Sequence, residues 1–139
     1  MTSKKEPVPD YATKTIRPWG HFRRLDQGPG FAVKALLVKG EQRLSLQRHE
    51  HRAERWTVAM GLAVATVNGV KYALNAGETI FVPRGAPHRL ANPAKEPLVV
   101  IEVWIGDVLD EADIERLADD YSRIDSKTSD IVELKEPLV

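Results

Sequence analysis

The residues best suited to chemistry crowd into one short run, Arg43-Leu44-Ser45-Leu46-Gln47-Arg48-His49-Glu50-His51. In a β-strand successive side chains point to opposite faces. A strand here places Ser45, Gln47, His49 and His51 on one face, and Leu44 and Leu46 on the other. Such a row of donors must face either water or a polar interior. Glu54 follows shortly after, and His88, another of the four histidines, lies in a later, turn-rich segment. The chain has no cysteine, so a metal site would use nitrogen and oxygen ligands. Two imidazoles, a carboxylate and an amide oxygen suit a divalent ion, with Zn, Mn, Fe, Co and Ni all compatible. For any one of these histidines taken alone, the plainer role is a hydrogen-bonded core residue.

Something must hold these side chains together, and the surrounding sequence reads as short strands. Phe31–Lys39, Gln42–His49, Arg55–Met60, Leu62–Asn68, Thr79–Val82 and Leu98–Trp104 are rich in Val, Ile, Leu and Thr. Gly40, Gly61, Asn68-Gly69, Asn75-Ala76-Gly77, Pro83-Arg84-Gly85 and Asn92-Pro93 punctuate them. Short strands at roughly ten-residue spacing indicate a sandwich or barrel. Asn68-Gly69 between two such runs predicts a hairpin. After Gly106 the pattern changes. Asp110 reads as a helix N-cap with acidic residues behind it. Ile114, Leu117, Ala118 and Tyr121 then recur at helical spacing. This predicts an amphipathic helix over about Glu111–Arg123, packed on the barrel. The expected organisation is a flexible lead-in (1–13), a β-barrel (14–106), the helical segment (107–123) and a loose tail (124–139).

The 139 residues fit one domain, and 42% hydrophobic with 29% charged residues is ordinary for a globular chain. Twenty basic and twenty acidic residues cancel, which argues against nucleic acid or a membrane surface as partner. A local arginine cluster would still bind a small anion. No apolar run approaches the roughly 18–20 residues of a bilayer span. The N-terminus has no apolar signal region, and with the missing cysteines this leads to a cytoplasmic expectation.

Two segments carry a resemblance to the cupins. In the first, Gln47-x-His49 is followed by Glu54 and Gly61, with Gln47 where cupins usually have His. The second is Gly77-x5-Pro83-x-Gly85-x2-His88-x3-Asn92. The resemblance implies an all-β fold, a small double-stranded β-helix of the cupin or jelly-roll type. It implies a metal held by Gln47, His49, Glu54 and His88. The alternative register makes His51 a ligand beside His49 and Glu54, with Gln47 behind them.

A narrower resemblance covers about residues 15–123. Arg17-Pro18-Trp19-Gly20, Val33-Lys34, Leu44-Ser45-Leu46-Gln47-x-His49-x-His51-Arg52-Ala53-Glu54-x-Trp56 and Pro83-x-Gly85-x2-His88-Arg89-Leu90-x-Asn92-Pro93 carry it. So do Ile101-Glu102-Val103, Asp113-Ile114-x-Arg116 and Asp120-Tyr121-x-Arg123. These resemble the type II mannose-6-phosphate isomerase domain, usually the C-terminal module of bifunctional mannose-6-phosphate isomerase/mannose-1-phosphate guanylyltransferases. The resemblance implies metal-dependent interconversion of mannose 6-phosphate and fructose 6-phosphate through an enediolate. Arg52, Arg116 and Arg123 would stabilise the enediolate or clamp phosphate, and Lys34 and Glu102 would face the interior as proton-transfer or supporting groups. It further implies a role in polysaccharide or nucleotide-sugar precursor synthesis and a homodimer. With no Gly-rich phosphate loop, the chain reads as a stand-alone module without guanylyltransfer.

Three positions depart from the family pattern, one of them Ser122, where the family's Tyr-Gly-Arg ending is Tyr121-Ser122-Arg123. The family's His after Glu54 is Arg55 here, which removes a candidate acid/base. Its Gln after Ile101-Glu102-Val103 is Trp104, bulky enough to close part of a cavity. The three tryptophans read as core or rim packing. Other functions compatible with the same residues are a non-catalytic sugar- or sugar-phosphate-binding cupin, an epimerase or an oxygenase.

Overall fold

Strand-forming runs and turn residues alternate along the chain, and the backbone follows them. The computed structural model describes residues 13–123. Among these, eleven strands form: β1 (Thr15–Arg17), β2 (Gly20–Gly28), β3 (Phe31–Val38), β4 (Leu46–Arg48), β5 (Arg52–Met60), β6 (Leu62–Val67), β7 (Val70–Asn75), β8 (Thr79–Val82), β9 (His88–Ala91), β10 (Leu98–Gly106) and β11 (Glu115–Ala118). They pair antiparallel into a six-stranded sheet, β1-β2-β3-β10-β5-β8, and a five-stranded sheet, β11-β4-β9-β6-β7. Asn68 (φ 51°) and Gly69 (φ 81°) form the expected two-residue hairpin turn, with Val67 paired to Val70. At Gly61, φ is +95° and a Cβ would come within 2.8 Å of the Pro97 carbonyl oxygen, so both backbone and space require glycine.

The expected helix over Glu111–Arg123 does not form. Asp110 does cap a turn: its carboxylate accepts the Ala112 N–H at 2.9 Å, and its carbonyl accepts the Asp113 N–H at 3.0 Å. The chain then enters β11, which pairs with the outer edge of β4. An uncovered strand edge presents unpaired backbone groups, and satisfying them outweighs a weak helical pattern. Burial here has period two, with Glu115 and Leu117 exposed and Arg116 and Ala118 half-buried. Tyr121 lies beyond the strand and donates its hydroxyl to Gln42 Oε1. The expected lead-in up to Thr13 and the tail at 124–139 lie almost wholly outside the described residues.

The two sheets share one interior, with a polar end and an apolar end. Leu36, Val58, Val100 and Leu98 from the large sheet meet Ala63, Ala65, Leu74 and Leu90 from the small one. Burying these side chains contributes the usual ~1.5–3 kcal/mol for each large one. The same strands carry their polar residues further along: Lys34 on β3, Arg52 and Glu54 on β5, Glu102 on β10, all buried. Among the described residues no helix is long and apolar enough to cross a membrane.

Candidate metal centre

Strand register assembles the site. β10 lies between β3 and β5, which sets Lys34, Glu102 and Trp56 in one cross-strand row. The next row is Ala32, Trp104 and Glu54. The sequence Glu-x-Trp occurs once in each of β5 and β10, and antiparallel pairing places each glutamate opposite the other strand's tryptophan. Trp56 Nε1–H donates to Glu54 Oε1 at 2.8 Å, and Trp104 Nε1–H donates to Glu102 Oε1 at 2.9 Å. The tryptophans are core residues as expected, and they also hold the two carboxylates by their indole N–H groups. The repeated Glu-x-Trp spacing was legible in the sequence, and its meaning follows once the two strands are paired.

The small sheet supplies the nitrogens. Gln47 on β4 is in register with His88 at the start of β9, and His49 follows directly after β4. His49, Glu54 and His88 are buried, with ligand atoms lying within 4.8 Å of one another. His49 Nε2 is 3.1 Å from Glu54 Oε2 and 3.2 Å from His88 Nε2. The other nitrogen of each ring faces a backbone carbonyl: His49 Nδ1 lies 2.7 Å from Asp113 O, and His88 Nδ1 lies 2.9 Å from Ala86 O. A carbonyl only accepts, so each Nδ1 carries a proton and the Nε2 lone pairs converge with the carboxylate. That donor set fits a divalent ion with nitrogen and oxygen preference.

Electrostatics agree with this. Burial pushes the His88 pKa down, helped by the charges of His49 and Arg52 against that of Glu54, which favours the neutral ligand form. Burial alone would raise the Glu54 carboxyl. The bond from His49 and the charges of His49, Arg52 and His88 outweigh it and hold the group well below the usual carboxylate range.

The alternation read from the sequence stops at His49. Glu50 and His51 turn away, and the Asp113 carboxylate accepts both their backbone N–H groups at 2.9 Å. The His51 side chain is 42% exposed beside Glu50, outside the cluster. Gln47 is half-buried and donates its amide nitrogen to Ser45 Oγ at 2.9 Å, which leaves its oxygen as the atom available to a metal. Asp113 thus orients His49 and fixes the turn, a role that its place in the Asp113-Ile114-x-Arg116 motif does not itself specify.

Beside the cluster opens a cavity of about 550 Å³, within the ordinary range for small-molecule sites. Gln47, Glu54 and His88 line it, as do Lys34, Arg52, Glu102, Arg116 and Arg123. Each of these candidates therefore reaches one space. Arg52 stacks on Trp104, 3.4 Å from its centroid, and donates Nε–H to Glu54 Oε2 at 2.8 Å. Its Nη2 lies 3.2 Å from His49 Nε2. Burial and the Glu54 charge push the Glu102 carboxyl up to about 8, against the opposing pull of Lys34, Trp104 and Arg52.

A family model described as mannose-6-phosphate isomerase C-terminal matches residues 5–119. The chain belongs to that family. Alginate biosynthesis protein AlgA of Pseudomonas aeruginosa is 46% identical over 110 residues, covering 79% of this chain and 23% of that protein. Mannose-1-phosphate guanylyltransferase ManC of Salmonella typhimurium is 45% identical over 111 residues, covering 80% and 23%. The chain thus spans about a quarter of the length of these relatives. Among solved structures, the Schizosaccharomyces pombe Cnp3 cupin domain superposes with a TM-score of 0.60 at 20% identity, covering 63% of this chain and 64% of that one. The fold is that of a cupin.

Arg55 and Trp104, two of the departures from the family pattern, have different consequences. Arg55 is exposed on the outer face of β5, its guanidinium 5.2 Å from the Phe81 ring centroid. In a strand the residue after Glu54 must point away from Glu54, so Arg55 takes nothing from the cavity. Trp104 is buried in the cavity wall and organises it, gathering Arg52, Lys34 and Arg24 around its ring. Of the two family arginines near the end of the described chain, Arg116 lies in register with Gln47. Arg123 is buried and bound by Asp119, its Nε–H donating to Asp119 Oδ2 at 2.9 Å.

Glu54 is the member on which most others depend. Glu54→Ala strips the carboxylate from Arg52, His49 and the Trp56 indole together. Removing one partner of a buried ion pair costs about 3–5 kcal/mol, and urea denaturation should show a loss of that size. Glu54→Gln keeps an acceptor for the indole and should lose less.

Proposed function

We propose that the domain is a metal-dependent aldose–ketose isomerase interconverting mannose 6-phosphate and fructose 6-phosphate through an enediolate. One observation carries this reading: a buried carboxyl poised near 8, Glu102, shares a cavity with the His49–Glu54–His88 donor group. Isomerisation between C1 and C2 needs a base that surrenders its proton again, and a pKa near the working pH suits that. A divalent ion bound by Gln47, His49, Glu54 and His88 would act as a Lewis acid on the sugar oxygens.

The chain's own groups supply the remainder. Glu102 as carboxylate takes the proton from C2 of the open-chain aldose, and the O2 hydroxyl proton passes to the neighbouring O1 across the enediolate. Glu102 as acid then returns its proton to C1, which leaves C2=O and restores the carboxylate. Arg52 sets positive charge beside the donor group, where it stabilises the developing enediolate oxygen. Trp56, Trp104 and Phe22 wall the space with apolar surface and keep water from the intermediate. Arg116 adds positive charge from the opposite sheet, and Arg123 shapes the wall with its charge matched by Asp119. The relatives' names, alginate biosynthesis protein and mannose-1-phosphate guanylyltransferase, support a place in sugar-nucleotide and polysaccharide precursor synthesis, and a cytoplasmic setting belongs to the same reading. A homodimer belongs to the same reading. It is supported by the apolar outer row of β10 (Val99, Ile101, Val103 and Ile105), of which Ile105 is 47% exposed.

The test is a coupled assay of metal-loaded protein on mannose 6-phosphate, run beside deuterium exchange at C2. Turnover that is lost on chelation and restored by a divalent ion is the expected result. Binding of the sugar phosphate with no exchange and no turnover would instead leave a sugar-phosphate-binding cupin.

A further inference from the structure

We infer that Lys34 and Arg24 form the anion subsite that takes the substrate's phosphate, with Glu111 as a built-in carboxylate that a phosphate displaces. The identity of the ligand rests on the function proposed above. The subsite rests on a separate juxtaposition, two basic side chains sharing one oxygen of a half-exposed carboxylate at the cavity rim.

What separates Lys34, and Arg24 beside it, from Arg52 and Arg123 is the mobility of their counter-ions. The carboxylate of Arg52 is Glu54, and the side chains are 4% and 3% exposed. Arg123 is held by Asp119, whose side chain is 0% exposed, through Nε at 2.9 Å and Nη2 at 3.2 Å. Neither carboxylate can leave without stranding a buried charge, which is costly. Lys34 is as deeply buried, its side chain 6% exposed, yet its Nζ donates to Glu111 Oε2 at 3.0 Å, and Glu111 is 43% exposed. Arg24, 32% exposed, reaches the same oxygen at 3.3 Å. An exposed ion pair is worth little, so Glu111 can turn into water at small cost. A phosphate dianion brings more charge and three strong acceptor oxygens to the place the carboxylate held.

The two cations stay in place without Glu111. Lys34 Nζ lies 3.7 Å from the Phe22 ring centroid and 4.3 Å from that of Trp104, and the Arg24 guanidinium lies 5.4 Å from the latter. Sheet order also suits the task. Arg24 on β2 is in register with Lys34 on β3, and β10 intervenes before Glu54 on β5. Lys34 thus stands two strands and one row from Glu54, about 12 Å at the usual strand spacing and rise. A six-carbon sugar with its phosphate at the far end has that scale. Trp104 stands where the family has Gln, so the aromatic support of this subsite belongs to the present chain.

Calorimetry with inorganic phosphate on the full-length, metal-loaded protein tests this. Glu111→Gln removes the competitor and should tighten phosphate by about three- to tenfold, with KM for mannose 6-phosphate falling in parallel and KM for unphosphorylated mannose unmoved. Arg24→Gln, at a half-exposed position that leaves the barrel intact, should weaken phosphate severalfold and flatten its salt dependence. Lys34→Met, checked for folding by thermal melt, should weaken it further. Phosphate affinity that does not tighten in Glu111→Gln, or that is indifferent to Arg24→Gln, overturns the subsite. Because phosphate binding needs no turnover, an inactive protein whose phosphate affinity follows this pattern sinks the isomerase reading and keeps the subsite. An active protein with indifferent phosphate affinity does the reverse.

Discussion

Glu102→Gln should lower turnover on mannose 6-phosphate by about 10²–10⁴-fold, the usual worth of a positioned acid–base group, while metal affinity stays near wild type. The amide keeps the shape and can still accept the Trp104 indole N–H, but it cannot carry a proton between two carbons. Burial first, and then the charge of Glu54, raise the Glu102 carboxyl to about 8. Near neutrality the metal-free protein holds it mostly protonated. A divalent ion on Glu54 would offset the second of these causes, so the wild-type rate should rise with pH and level off at or below about 8. Stability runs the other way. The unfolded carboxyl titrates near 4.5 and the folded one near 8, so between them the folded state binds more protons. Its contribution is fully present below the unfolded value and is lost as pH rises through the folded one. Glu102→Gln removes that loss, so urea midpoints of wild type and variant should converge in acid and separate in the variant's favour towards pH 9. A variant that keeps turnover and tracks wild-type stability at every pH would falsify the role given to Glu102.

Much of this arrangement was readable from residue order, and the exceptions have physical causes. Period-two alternation placed Gln47 and His49 correctly because β4 is a true strand up to Arg48. It failed for His51 because the Asp113 carboxylate, from a segment far along the chain, captures two successive N–H groups and turns the backbone. The helix over Glu111–Arg123 failed for a related reason, since a local apolar period competes poorly with the open edge of β4. Local sequence carries no record of which edge is uncovered. The same alternation, applied one residue past Glu54, puts Arg55 outside, so its departure from the family pattern loses its weight. Trp104 was legible as bulk, but its indole bond to Glu102 and its three neighbouring cations depend on β10 lying between β3 and β5. Glu111 reads from the sequence only as the first turn of a helix, and Asp119 is not singled out. Their importance lies in how exposed each is as a counter-ion, which only packing decides.

A ligand series resolves the membership of the metal centre. His88→Ala should lower divalent-metal affinity by more than about a hundredfold, since even loss of an outer-shell partner costs 10–100-fold, and turnover should fall to background with it. His88 gives up its Nδ1–H to Ala86 O and lies within 3.2 Å of His49, so no neighbour can replace its Nε2. Gln47→Ala should cost less, because a neutral amide oxygen is the weakest of the four donors and His49, Glu54 and His88 already converge without it. His51→Ala should leave metal affinity within about twofold of wild type, as its half-exposed ring sits beside Glu50 and outside the cluster. Elemental analysis and metal titration of the three variants separate the two registers that the sequence allowed. Loss of metal in His51→Ala, with Gln47→Ala unchanged, would assign the fourth ligand to His51 and make Gln47 a supporting residue. The expected order, His88 well ahead of Gln47 and Gln47 ahead of His51, follows from burial and charge at each position.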